Sequence, residues 1–225
     1  MTKLPRYVPS GKVWFAIPVA QGCVEDASRT FEEWRSLGYN CLALVDGPEQ
    51  PQRCVVLRRP LEYQGWAWAT NLLAQSLKGH FSWLVAGGHD VLPHPDLSAQ
   101  AIAAQCKEHF AGTMGVMQPC GDIYGALADK SACVSAWIGA DFCAKYGPFH
   151  EGYFHFWADT ELMHVAARDK CLWWRDDLTQ FHDHHARKPR PAGQKWTHPK
   201  YLNKAAEMGK IDEALFLRRK AMGFP

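Results

Sequence analysis

Short hydrophobic runs alternate with amphipathic stretches along the first half of this chain. Residues 13 to 20 are apolar, with a β-branched and aromatic bias, and end at Gln21 and Gly22, which predicts a buried strand. From Asp26 to Leu37, Phe31, Trp34 and Leu37 recur at helical spacing, and Gly38 stands as a C-terminal stop. Cys41 to Val45 is a second buried run, closed by Asp46 and Gly47. Strand, helix, strand in that order predicts a parallel βαβ unit. After a turn at residues 48 to 52, the pattern predicts a strand at 54–57, a helix at 65–77 and a strand at 81–86. A helix at 97–110 and a strand at 115–119 follow. The expected fold is α/β: a mostly parallel central sheet flanked by helices, with its ligand crevice at the carboxyl edge.

Beyond residue 120 the texture changes. Residues 133–138 suggest a strand, 141–146 a short helix, and 158–170 a helix with Leu162, Val165 and Ala166 on one side. Residues 187–200 hold three prolines and are expected to form an extended arm, followed by a terminal helix at 201–221. The expected organisation is one domain over 1–186, with a basic arm and helix over 187–225 packed on it.

Composition, 47% hydrophobic and 21% charged, is that of a folded globular protein. Net charge is +2, which excludes an indiscriminate polycation, but residues 187–225 carry ten Lys or Arg against Glu207, Asp212 and Glu213. A basic tail on a slightly acidic body suggests contact with phosphate, or else a solvated helix face. Eight cysteines without a Cys-x-x-Cys pair read as reduced, mostly buried thiols. Without an apolar leader or a membrane-length run, the expectation is a cytoplasmic protein with no membrane partner. Ten tryptophans fit core filling first and ring stacking second.

Three polar clusters punctuate the apolar scaffold. In the first, Gly87, Gly88, His89 and Asp90 follow the strand at 81–86, where side chains reach the crevice. An adjacent imidazole and carboxylate can hold a divalent metal, or simply line a solvated turn. In the second, Asp159 and Glu161 stand two residues apart on a helix and cannot share a face. One is therefore expected to reach the crevice while the other packs or caps, and Asp159 suits an N-cap as well as it suits catalysis. In the third, His182 and His184 face the same way in an extended segment and Asp183 the other. With His89 and Asp90 they form an oxygen and nitrogen donor set suited to Mn²⁺ or Mg²⁺.

In this order the motifs resemble the GT-A type glycosyltransferases, in particular the large inverting, family-2-like group that uses nucleotide-diphosphate sugars. Pro18 and Val19 end a strand similar to that family's first, and Asp46 stands where the family has a nucleotide-contacting acid. Gly65, Ala69 and Asn71 resemble its G-x-x-x-A-x-N helix beside the donor. Residues 86–96 occupy the place of its metal-binding D-x-D segment, with Gly87 and His89 in place of the two aspartates. Ala158 and Asp159 resemble the E-D pair whose aspartate is the general base, with Ala158 replacing the glutamate, and His184 falls where many members have a late metal-binding histidine. The resemblance implies a donor site of Pro18, Val19, Asp46, Gly65, Asn71, Gly88 and His89. It implies a metal site of His89, Asp90 and His184, and Asp159 as base.

The aromatic segment before Asp159, with His155 and Trp157, suits stacking on a sugar or a flipped base, or core packing. Together with Arg187 and Lys188 it suggests an acceptor-binding side, and a hydroxylated base in DNA as one acceptor. Compact bacteriophage glycosyltransferases that decorate DNA look broadly similar. Two other classes fit the same residues. One is a metal-dependent phosphohydrolase using His89, Asp90, His182, Asp183 and His184; the other is a non-catalytic nucleotide-sugar or DNA-binding module. Donor hydrolysis without an acceptor favours the first, and donor binding without turnover the second.

Overall fold

The computed structural model describes residues 12–45, 47–58, 64–122, 130–183 and 200–224, with the backbone alone at 200–202. The elements in chain order are β1 (Val13–Val19), α1 (Val24–Ser36), β2 (Asn40–Val45), β3 (Val55–Arg58), α2 (Trp66–Ser76), β4 (Trp83–Val85), β5 (Val91–Leu92) and α3 (Ala99–His109). There follow β6 (Val116–Pro119), β7 (Trp137–Gly139), α4 (Ala140–Tyr146), α5 (Ala158–Arg168), β8 (Leu172–Arg175), β9 (Phe181–His182) and α6 (Lys200–Ala221). Seven strands form one sheet in the order β3-β2-β1-β4-β7-β6-β8, and β5 and β9 form a separate two-stranded ribbon. Strands β1, β2, β3 and β4 run parallel; β7 is antiparallel to both its neighbours, and β8 returns parallel to β6. The expected mostly parallel α/β sheet is present.

Helices cover both faces, which is why the strands are apolar throughout and do not alternate. Val13, Phe15, Ile17 and Val19 of β1 face one layer with Phe31 and Trp34 of α1 and Ile102 of α3. Trp14 and Ala16 face the opposite layer with Leu73 of α2. Further along that side, Val116 and Ile138 pack with Leu162 of α5 and Phe216 of α6. The terminal helix therefore belongs to the core.

Three boundaries depart from the sequence reading for local reasons. Helix α1 begins at Val24, not Asp26. The turn at Gly22 leads straight into it, Ala27 N–H bonds Cys23 O at 2.9 Å, and Glu25 and Asp26 lie in its first turn, where the helix dipole favours acids. Strand β7 is confined to Trp137–Gly139. Over residues 133–136 the backbone is satisfied largely from outside any ladder, with Ser135 N–H donating to Gln118 Oε1 and Ser135 O accepting from Gln180 Nε2. Leu172–Arg175 adds the edge strand β8.

None of the eight cysteines forms a disulfide, and burial raises thiols such as Cys106, to about 12, so this one is not poised as a nucleophile. Among the described residues no helix is long and apolar enough to cross a membrane.

Candidate functional site

The carboxyl end of β4 opens into the turn Ala86–Asp90, and three side-chain donors from two helices hold that turn. Trp66 Nε1 of α2 donates to Gly87 O at 3.1 Å, Trp34 Nε1 of α1 donates to Val91 O at 2.7 Å, and Thr30 Oγ1 donates to His89 O. Trp34 is itself fixed by a parallel stack on Phe15, centroids 4.1 Å apart. A β-carbon on Gly88 would stand 2.6 Å from Asp90 Oδ1, so the missing side chain leaves room for that carboxylate. The turn is rigid by hydrogen bonding at a place where chemistry needs fixed geometry.

Asp90 meets His182, its Oδ2 lying 3.4 Å from His182 Nε2. The β5–β9 ribbon makes the contact, setting Val91 opposite His182, with Asp183 N–H donating to Asp90 O at 2.7 Å. Buried Asp122 accepts from His182 N–H at 2.8 Å and fixes the ribbon from the end of β6. Burial pushes the Asp90 carboxyl up, but the hydrogen bond and charge of His182, with His89 beside it, prevail and hold it below the usual carboxylate range. The imidazole in contact with Asp90 thus belongs to His182, a residue outside the metal set implied by the family resemblance. Among the described residues no group of three metal-ligating side chains gathers, and His184 lies outside the described residues. The oxygen and nitrogen pair suits a divalent cation that keeps most of its positions for water and phosphate oxygens.

The entry to α5 separates the two acids of the second cluster. Trp157 adopts a left-handed conformation (φ 68°) at the helix N-cap, and its ring stacks on Phe216 of α6 at 4.7 Å. Glu161 is buried; it accepts from Tyr153 Oη–H at 2.7 Å and from the Arg219 guanidinium through both Nε and Nη2. Asp159 lies two positions inside the helix, so it is not the N-cap. It is half-buried and among the described residues accepts from its neighbour Thr160, and burial raises its carboxyl above the ordinary range despite those bonds. Glu161 packs against α6, while Asp159, two positions earlier, is half-buried.

The segment ahead of α5 is clamped by α6. Fully buried Asp212 accepts the backbone N–H groups of Phe154, His155 and Phe156, each at 2.9 Å. His155 lies against Trp66, its Nδ1 buried without a hydrogen-bond partner among the described residues, and burial lowers its pKa. Gly65, with φ +102°, lets residue 154 approach so closely that a β-carbon would stand 2.2 Å from Phe154 O, while Trp66 N–H donates to that oxygen. Asn71 spends both ends of its amide on the Phe149 backbone, at 2.9 and 3.0 Å. Gly65 and Asn71 therefore meet the loop before α5. Pro18 is half-buried and Val19 buried at the end of β1. Asp46, Arg187 and Lys188 lie outside the described residues.

Hydrogen bonds connect these parts along one rim. Ala86 N–H donates to Ala136 O at 3.0 Å, and Cys133 N–H to Asp159 O at 3.2 Å. Ala86, Ala67, Cys133, Ala136 and Ala158 share one core cluster. The β4 turn and the start of α5 thus border the same end of the sheet. Asp212, Arg219 and Asp122 escape a reading by pattern, because each acts on a segment distant in sequence.

No protein-family model matches the chain, and no curated protein matches its sequence. Solved structures match its shape. TarS of S. aureus superposes with a TM-score of 0.54 at 8% identity over 75% of this chain and 36% of that one, so the chain spans about a third of TarS. The catalytic domain of Drosophila beta1,4-galactosyltransferase 7, crystallised with xylobiose, superposes with a TM-score of 0.50 at 13% identity over 86% of this chain and 79% of that one. A mutant of the latter, complexed with manganese, UDP-Gal and xylobiose, gives 0.51 at 12% identity, covering 85% and 79%. The fold is that of the GT-A glycosyltransferases. At these identities the likeness is one of fold.

Proposed function

We propose that this chain is a glycosyltransferase that moves a sugar from a nucleotide-diphosphate sugar to an acceptor hydroxyl with inversion. The reading is supported by one observation: at the start of α5 Glu161 is consumed by Arg219, while Asp159 is half-buried and its carboxyl is raised by burial. A carboxylate whose pKa is raised by burial is a stronger base than a solvated one. Asp159 takes the acceptor proton as the acceptor oxygen forms its bond to the anomeric carbon and the nucleoside diphosphate departs. Asp90 and His182, with His184 from outside the described residues, would hold Mn²⁺ or Mg²⁺. Such an ion, when bound, neutralises charge growing on the departing diphosphate. The rigid 86–90 turn orients the donor, and His155 with Trp66 lines the acceptor side. The manganese, UDP-Gal and xylobiose bound by the Drosophila protein lend support to a nucleotide-sugar donor and a divalent ion here.

The test has two arms. Nucleotide sugars are screened by thermal shift with and without Mn²⁺, because a ligand bound only by the folded state raises the melting temperature. The hit is then used for transfer to glycan, lipid and duplex DNA acceptors, the last included for the basic 187–225 segment. For a DNA acceptor, binding falls steeply with salt, and the slope lessens when Arg187 and Lys188 are neutralised. Asp159→Asn is expected to keep the donor shift and lose transfer by roughly 10²–10⁴-fold. Transfer at the wild-type rate in that variant refutes the assignment.

A further inference from the structure

Among the described residues five large apolar side chains are exposed; Phe181 stands apart on β9, and three of the other four belong to one helix and its end. Ile211 (58%), Leu217 (58%) and Met222 (57%) all belong to the α6 segment and its final turn, and Phe156 (42%) lies against Gly209 of the same helix. The inner face of α6 is already occupied by Ala205, Asp212 and Phe216, which are buried against the domain. On the outward arc Ile211, Ala214, Leu217 and Ala221 succeed one another at three- and four-residue steps, with Met222 about three turns beyond Ile211 on the same side, and all are exposed. Exposed Lys204, Lys210 and Arg218 share that arc with a single acid, Glu207, while Glu213 and Lys220 lie on its flank and offset each other. Isolated surface leucines need no explanation; a contiguous apolar stripe bordered by cations does.

We propose that the outward face of α6 docks in the plane of an anionic lipid bilayer, with Ile211, Leu217 and Met222 among the upper acyl chains and Lys204, Lys210 and Arg218 on the headgroup phosphates. Charge selects this occupant. A second copy of the chain would set three cations against three, and nucleic acid would leave the apolar stripe in water. A bilayer surface satisfies both kinds of group at once. The inference does not depend on the glycosyl-transfer reading.

The experiment is co-sedimentation of the full chain with vesicles of phosphatidylglycerol and phosphatidylcholine, beside vesicles of phosphatidylcholine alone. Binding is expected to the anionic vesicles only. It is expected to fall more than tenfold in the triple variant Ile211→Ser, Leu217→Ser, Met222→Ser. It is expected to fall about fivefold per cation removed in Lys210→Ala and Arg218→Ala. Because these side chains point outward, the variants should melt with the wild type, which separates lost docking from lost folding. Three outcomes overturn the proposal: no binding by the wild type, equal binding by the triple variant, or a wild-type dimer that the triple variant dissociates. Duplex DNA binding that survives the triple variant, without vesicle binding, overturns it as well.

Discussion

Replacing Glu161 by glutamine tests whether α6 is fastened to the domain by one buried charge pair. The carboxylate accepts from Tyr153 and from two nitrogens of Arg219, whose side chain is only 11% exposed. Glutamine keeps the volume and one oxygen, which can still serve Tyr153 Oη–H, but it turns an amide NH₂ toward the guanidinium. Arg219 is then a charge left in a dry setting with donors facing it. Breaking a buried pair in this way costs about 3–5 kcal/mol. For a chain of this length each kcal/mol moves the melting temperature by about 2–4 °C, so Glu161→Gln should melt roughly 6–20 °C lower. Urea unfolding followed by tryptophan fluorescence gives the free energy directly, and the double variant Glu161→Leu, Arg219→Met is the control. Removing both charges leaves nothing unpaired and should recover most of the loss. A Glu161→Gln variant within 1 kcal/mol of the wild type would mean the pair behaves as a surface ion pair, and the division of roles between Glu161 and Asp159 would lose its basis.

Two further expectations follow from groups near the same loop. The Asp159 carboxyl has its folded pKa raised by burial, so its contribution to stability is present below the unfolded pKa and is lost as pH rises through the folded one. Asp159→Asn should remove that segment of the stability-versus-pH curve, while the wild-type transfer rate should rise through an acid limb above the ordinary carboxylate range; a limb unchanged in position by the substitution refutes this. Asp212→Asn sets an NH₂ against one or two of the three backbone N–H groups that the carboxylate accepts, leaving a buried donor unmet at about 1–3 kcal/mol. Chemical unfolding measures the loss, and a variant as stable as the wild type would show the 154–156 turn to be held by other contacts.

The strands and the βαβ order were legible because helices on both faces leave strand positions apolar, and such runs stand out without an alignment. The crossing roles of Asp159 and Glu161 were legible in part, since two positions along a helix turn side chains far apart. Which of them packs is decided by Arg219, 58 residues further on, and no local pattern carries that information. The N-cap reading of Asp159 failed because Trp157 takes the left-handed entry and starts the helix two positions earlier than a capping aspartate would. Asp212 was opaque for a similar reason. It stands between Ile211 and Glu213 in a helix rich in charge, where an acid ordinarily faces water, and only the fold brings three N–H groups to it.

The tryptophans illustrate the same limit from the apolar side. By composition they are core filling, and Trp34, Trp83 and Trp137 are indeed fully buried. What composition does not reveal is the use of the indole N–H. Trp34 donates to Val91 O, Trp66 to Gly87 O, and Trp137 to Gln180 Oε1, each to a segment distant in sequence. A large ring buried on one side can deliver a single donor to a carbonyl that would otherwise go unmet in a dry environment. Substituting phenylalanine at position 34 or 66 would keep much of the packing and release the turn that carries Asp90. The rigidity of the turn is thus built from residues whose sequence signature is that of a core, which is why the pattern marks the strand end but not the donors that hold it.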